Sequence, residues 1–117
     1  MESILTSIKK LLGIEESYEI FDPDIILYIN SAFSTLTQLG VGPEKGFSIK
    51  DKTTTWSEYL NNDPRLDLIK NYVFLKVKLI FDPPTSSSVQ SAYERMIQEL
   101  EWRILHAVEI MINKEGA

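Results

Sequence analysis

The chain has 117 residues, a length that fits one domain with a single modest core. It is 44% hydrophobic and 25% charged, as globular rather than disordered proteins are. The absence of cysteine excludes disulfides and thiolate metal sites, and the net charge of −5 argues against nucleic-acid binding over the whole surface. No apolar run reaches membrane-spanning length and the N-terminus lacks a secretory signal, so we expect a soluble, unprocessed protein without membrane association.

An amphipathic helix is predicted near the N-terminus, over about residues 3–12. Apolar residues recur there at helical spacing: Ile4, Leu5, Ile8, Leu11 and Leu12. Gly13 follows them and is placed to end the helix. Because chain termini are poorly ordered unless they are docked, residues 1–14 are a candidate mobile arm.

A second helix is predicted from Asp22 to about Leu39. Asp22-Pro23 is a start signal, with Asp as the N-cap and Pro at the first helical position. Gly40 follows the last apolar residue and is placed to end the helix. Leu27 falls on the side opposite the apolar face, where it is either an ordinary exposed leucine or a contact with a partner.

Residues 40–56 contain three glycines, a proline and three lysines and show no helical periodicity. The third glycine comes one residue late for a dinucleotide-binding turn, and Lys45 precedes Gly46 instead of following it as in a P-loop. We therefore assign the glycines to backbone turns within a loop or a small β-hairpin. Lys45, Lys50 and Lys52 form either a solvated loop tip or a contact with DNA or a neighbouring subunit.

A long helix is predicted from about Arg65 to Phe81. Asp63-Pro64 precedes it as a start signal, and Asp82-Pro83-Pro84 stops it because two successive prolines cannot continue a helix. Two apolar stripes lie side by side on its helical wheel and leave a narrow polar strip. We expect this helix to be central and covered on more than one side.

The last helix is predicted over residues 87–113, with Ser87 and Gln90 in a capping box. It would be about 39 Å long, which is longer than a compact domain of this size requires. After Trp102 its apolar arc widens to roughly 160°, and Trp102 and Ile110 lie outside that arc. A helix end this apolar is either packed by the N-terminal arm or docked on another chain.

No catalytic, cofactor-binding or metal-binding constellation is recognisable in the sequence. His106, the one histidine, is expected on the outer face of the last helix and is interpreted as a surface residue. Acidic pairs near the helix boundaries supply too few oxygen ligands for a metal ion. The patterns together predict a single all-α domain over residues 1–117. It would be a small bundle of about four helices with a long C-terminal helix, no enzyme activity and no cofactor.

Three segments of the sequence resemble a family of small phage proteins. They read DPDIILYINSAFSTLTQLGVGPEKGFSI, TTTWSEYL and YVFLKVKLIFDPPTSSSVQSAYERMIQELEWRI, and the resemblance covers about residues 18–105. The family comprises the head–tail connector, or adaptor, proteins of tailed phages and prophages, also described as phage DNA-packaging proteins. The order of these segments carries the resemblance, since no single residue in them is diagnostic.

The resemblance implies an α-helical subunit that forms a ring with copies of itself beneath the portal protein of a filled head. The ring would extend the channel through which DNA passes without sequence-specific binding, and would dock a neck or tail-completion protein. These roles imply a place at the head–tail junction of the virion, and in the bacterial cytoplasm during assembly. The alternatives are a small acidic helical regulatory or interaction module, and an enzyme or nucleotide binder that uses the glycine loop.

The apolar pattern of the helices, the lysine-containing loop and the expected ring together lead to a hypothesis for particular residues of this sequence. We assign subunit or portal contacts to Trp102, Leu105, Val108, Ile110, Met111, Ile112 and Leu27. We assign a loop surface facing a neighbour or the channel to Lys45, Phe47, Ile49, Lys50 and Lys52.

Overall fold

The computed structural model describes the backbone of residues 2–116 and the side chains of residues 2–107. Its helices are α1 (Ile4–Leu11), α2 (Asp22–Gln38), α3 (Trp56–Tyr59), α4 (Leu66–Phe81) and α5 (Ser87–Gly116). Within residues 2–116 there is no strand, and an isolated antiparallel bridge joins Ser3 to Thr55. The predicted all-α bundle with a long C-terminal helix is confirmed, and α3 adds a single turn to it.

The central helix of the bundle is α4, which packs against α1, α2 and α5. It runs antiparallel to α2, because Phe81 at its end contacts the ring of Phe21 while Tyr72 further along interacts with the Thr35 side chain. It also runs antiparallel to α5, whose Glu101 accepts a 2.7 Å hydrogen bond from Tyr72. The prediction of a helix covered on several sides is confirmed.

The first helix belongs to the core and is not a detached arm. Ile4, Leu5 and Ile8 are at most 2% exposed. Ser3 caps the helix through its Oγ, which accepts from the Thr6 N–H at 3.2 Å. The main contacts of α1 are with α2 and α4, so its apolar face forms part of the core.

Lys9 is a charged side chain inside the core, 2% exposed. Its Nζ donates to the carbonyls of Glu16 at 3.0 Å and Tyr18 at 2.8 Å, and lies 2.9 Å from Asp22 Oδ1. An ammonium group needs such partners because its desolvation is costly. Asp22 is therefore an ion-pair partner, and the prediction that it is the N-cap is wrong: Phe21 occupies that position.

The segment between α2 and α3 is a loop and not a hairpin, and side-chain and backbone contacts hold it at two points. Asn30 of α2 donates Nδ2 to the Ile49 carbonyl at 3.0 Å and accepts from the Ile49 N–H at 2.8 Å. Near the end of the loop, residues 54 and 56 pair with the backbone of residues 2–4 through two hydrogen bonds of 3.1 Å. These contacts satisfy backbone groups that a hairpin would pair with each other.

The glycine at position 42 allows the backbone to pass over an aromatic cluster. The Tyr59 ring lies 4.6 Å from that of Phe33 and 4.7 Å from that of Phe47, centroid to centroid. Gly42 has φ of +81°, and a Cβ there would lie 2.7 Å from Tyr59 Cε1. This glycine therefore serves a turn and a close approach, in agreement with the assignment of the glycines to backbone geometry.

The last helix is much longer than the helix that supports it. With 30 residues α5 is about 45 Å long, whereas the 16 residues of α4 span about 24 Å. Because a short turn places the start of α5 beside the end of α4, the excess length lies toward the C-terminus of α5. Ser86, rather than the predicted Ser87, caps the helix, with its Oγ 3.5 Å from the Val89 N–H.

Replacement by alanine should lower the free energy of unfolding more at Gly42 than at Gly13. Gly13→Ala meets open space at φ +80° and should cost about 1–2 kcal/mol for the left-handed backbone alone. Gly42→Ala adds the clash with Tyr59 and should cost about 1–3 kcal/mol more. Urea unfolding of both variants measures the difference, and equal free energies of unfolding would contradict the packing role of Gly42.

The buried ammonium predicts that Lys9→Met is strongly destabilising. The change leaves Asp22 and two carbonyls without their cation, and breaking a buried pair costs about 3–5 kcal/mol. We expect the lower end, since the Asp22 side chain is 21% exposed. Lys10→Met, at an exposed neighbouring position, is the control and should change the free energy of unfolding by less than about 0.5 kcal/mol. Equal thermal unfolding of the two variants would refute this role of Lys9.

Candidate assembly surfaces

Two large apolar side chains are exposed in the second half of the described part of α5. Trp102 is 64% exposed and Leu105 is 41% exposed. The Trp102 ring stacks on the ring of His106 one turn later, with centroids 5.0 Å apart and planes 8° apart. We define the α5 outer face by its exposed residues: Arg95, Glu99, Trp102, Arg103, Leu105 and His106.

The charges of the α5 outer face are not neutralised by one another. Arg95, Glu99 and Arg103 have the i,i+4 spacing at which helix ion pairs form. The ion pairs found among the described side chains join other residues instead. The two guanidinium groups are therefore available to carboxylates outside the subunit.

A second exposed surface lies on the connection between α1 and α2, near the other end of α4. Ile20 at its centre is 71% exposed. The rings of Tyr18 and Phe21 lie 5.7 Å apart, and Phe21 makes an edge contact with Phe81 of α4 at 5.2 Å. We define the α1–α2 patch by its exposed residues: Glu15, Glu16, Tyr18, Glu19, Ile20, Phe21 and Asp24.

Lys9 fixes the backbone of the α1–α2 patch, and acidic residues in this segment give the patch its negative charge. Lys9 holds the carbonyls of Glu16 and Tyr18 inward, and the side chains of both residues are exposed. No lysine or arginine occurs from residue 11 to residue 44, so the four carboxylates of the patch have no basic neighbour in sequence. The patch is a negatively charged rim around exposed apolar groups.

Two buried tyrosines have shifted pKa values, and the carboxylates of the described residues are dispersed. Burial raises the pKa of Tyr59, and burial together with the hydrogen bond to Glu101 raises the pKa of Tyr72, so both phenols stay neutral near pH 7. Among the described residues no His, Cys, Asp and Glu side chains cluster in a way that could hold a metal ion. No helix in that part of the chain has the length and apolar character needed to cross a membrane.

A family model for phage connector proteins matches residues 4–110, from the start of α1 into the distal part of α5. The chain belongs to the phage connector family. This family is structural rather than enzymatic, and its members act with other phage proteins in the virion. No curated protein and no solved structure matches the sequence.

In this connector, the residues assigned to subunit contacts fall into two groups. Trp102, Leu105 and Leu27 are exposed, with Leu27 65% exposed on the outer side of α2. The side chains of the other assigned residues lie outside the described residues: Val108, Ile110, Met111 and Ile112. Their backbone continues α5, which ends at Gly116.

The loop of the connector exposes its three lysines and packs its apolar side chains inward. Lys45, Lys50 and Lys52 are exposed. Ile49 is 2% exposed, and Phe47 packs against Phe33 with ring centroids 5.3 Å apart. The expectation that Phe47 and Ile49 face a neighbour or the channel is wrong, because alternate residues of this extended segment point into the subunit's own core.

Removal of the Asn30 side chain, which hydrogen-bonds Ile49, should loosen the loop that carries Lys45, Lys50 and Lys52. Asn30→Ala leaves the buried Ile49 N–H and C=O without partners, at a cost of about 1–3 kcal/mol. Amide hydrogen exchange at Ile49 should then rise by roughly tenfold or more. Asn71→Ala, at an exposed position of α4, should leave that exchange rate unchanged. Equal exchange rates in both variants would mean that other contacts hold the loop.

Proposed function

We propose that this connector protein is a ring-forming subunit that sits beneath the portal vertex and extends the channel through which DNA leaves the head. The observation that carries the proposal, beside family membership, is the exposed apolar surface on a helix longer than its own bundle. Trp102 and Leu105 are exposed on α5, which packs against α4 through other residues. Burying such side chains stabilises an assembly by about 25 cal/mol per Å² of apolar surface.

A closed ring accounts for a subunit that has a complete core and yet exposes apolar groups. The described helices α1, α2 and α4 bury their apolar faces against one another, so the fold does not need the α5 outer face for its core. In a ring, one surface of each subunit contacts a different surface of its neighbour. The portal and a neck or tail-completion protein would take the two open ends of the ring.

The lysine loop fits a position next to a neighbouring subunit or in the channel. Lys45, Lys50 and Lys52 are exposed on a loop that Asn30 anchors. Lysines in the channel would contact passing phosphates without reading sequence, and the net charge of −5 would keep DNA from binding tightly. The protein would thus reside at the head–tail junction of the virion and in the host cytoplasm before assembly.

The proposal is tested by measuring solution mass with light scattering, first for the protein alone and then with the portal protein encoded in the same genome. Negative-stain images of the large species should show rings or a collar on the portal. Leu105→Asp should remain folded by circular dichroism and lose this assembly, because it places a carboxylate in the apolar contact. Asn71→Asp, which adds a charge at an exposed position of α4, is the control and should assemble normally.

A stable dimer that ignores the portal would contradict the ring proposal. That result would favour the alternative of a small acidic regulatory or interaction module. Normal assembly of Leu105→Asp would instead show that the contact surface lies elsewhere on the subunit.

A further inference from the structure

We propose that the α5 outer face of one subunit docks on the α1–α2 patch of a second copy of this chain. This inference rests on the proposed ring, and it names the two surfaces that meet. Each surface is exposed and apolar at its centre, around Trp102 on one and Ile20 on the other. The proposal therefore assigns a heterologous contact, in which different surfaces of two identical chains pair.

Charge complementarity selects these two surfaces for each other. The α1–α2 patch carries the carboxylates of Glu15, Glu16, Glu19 and Asp24, and it stays acidic although Lys10 lies at its edge beside Glu15 and Glu16. The α5 outer face carries the two guanidinium groups of Arg95 and Arg103 with the carboxylate of Glu99 between them, and Glu94 is exposed on the adjoining side of the helix. None of these groups takes part in the ion pairs formed among the described side chains. Their pairing across an interface would steer association and fix its register.

Both surfaces also expose aromatic and aliphatic side chains that can pack against each other. On α5 the stacked rings of Trp102 and His106 form an aromatic ridge with Leu105 beside it. On the patch, Tyr18, Ile20 and Phe21 expose aromatic and aliphatic area. An aromatic and arginine-containing centre with a charged rim is the usual composition of the energetically important part of an interface.

The placement of the surfaces allows each subunit to use both at once. Phe21 contacts Phe81 at the C-terminal end of α4, whereas Tyr72 nearer the other end binds Glu101 of α5. The nine residues from Tyr72 to Phe81 correspond to about 13 Å of helix, and Trp102 and Leu105 lie further along α5. The surfaces therefore do not overlap, and successive copies can repeat the same contact until a ring closes.

Reversal of single charges, followed by a paired reversal, tests whether these surfaces meet. Arg103→Glu opposes the carboxylates of the patch, and Glu19→Lys opposes the arginines, so each should raise the concentration needed for assembly by roughly tenfold or more. The double variant Arg103→Glu/Glu19→Lys should recover assembly, since the two changes restore opposite charges across the contact. Asn71→Glu, an added negative charge at an exposed position of α4 outside both surfaces, is the control. Failure of the double variant to recover would overturn the pairing.

Crosslinking gives a second, direct test, because the native chain has no cysteine. Ile20→Cys/Leu105→Cys, treated with a short bismaleimide after assembly on the portal, should give a ladder of covalent multimers. Either single-cysteine variant should stay uncrosslinked. Dimers from a single-cysteine variant, or no ladder from assembled double variant, would overturn the proposed contact. If the wild-type protein does not assemble with the portal, the ring proposal itself fails, which is a distinct outcome.

Discussion

The ammonium group of Lys9 holds together the part of the molecule on which both the core and one proposed contact depend. It binds two carbonyls of the α1–α2 connection and pairs with Asp22 at the start of α2. A short connection with no apolar residue fully buried would otherwise have little to fix its path. Because Lys9 hydrogen-bonds the inward-facing carbonyls of Glu16 and Tyr18, the side chains of these residues face solvent. One buried charge thus docks α1, orients the start of α2 and exposes the α1–α2 patch.

The other end of the molecule depends on α4. Tyr72 is fully buried and joins α4 to α5 through Glu101, while Ile97, Leu100 and Ile104 pack inward from α5. A helix supported along one side has other sides free, and here Trp102 and Leu105 are exposed among charged residues that are typical of a solvent-facing surface. The same helix therefore serves the fold with one face and is available for assembly with the other.

The helices could be predicted closely because their signals are local. Helical spacing and Asp-Pro or Pro-Pro pairs placed α1, α2 and α4 within about two residues of their observed ends. The distribution of apolar residues also indicated that α4 is central and that α5 is long. Exposure of Trp102 and Leu27 followed from their positions on the helical wheels, whereas Leu105 belongs to the apolar arc of its helix and is nevertheless exposed.

The features that the sequence did not reveal are those that depend on distant residues. Lys9 shares a helical face with Leu5, Ile8 and Leu12, which was a signal of burial, but its acceptors are mostly backbone carbonyls that no pattern identifies. The Asn30 clamp joins residues 19 apart in the chain. The inward positions of Phe47 and Ile49 likewise depend on where α2 and α3 place the aromatic cluster.

One measurement can test whether the α5 outer face is an assembly contact, because the two tryptophans differ in exposure. Trp102 on that face is 64% exposed, whereas Trp56 is 2% exposed. Hydroxyl-radical oxidation with mass spectrometry would be quantified at each tryptophan, in the free subunit and in the assembly with portal protein. We expect Trp102 to be oxidised readily in the free subunit and protected in the assembly, with Trp56 protected in both. Equal oxidation of Trp102 in the two states would contradict an assembly contact on the α5 outer face.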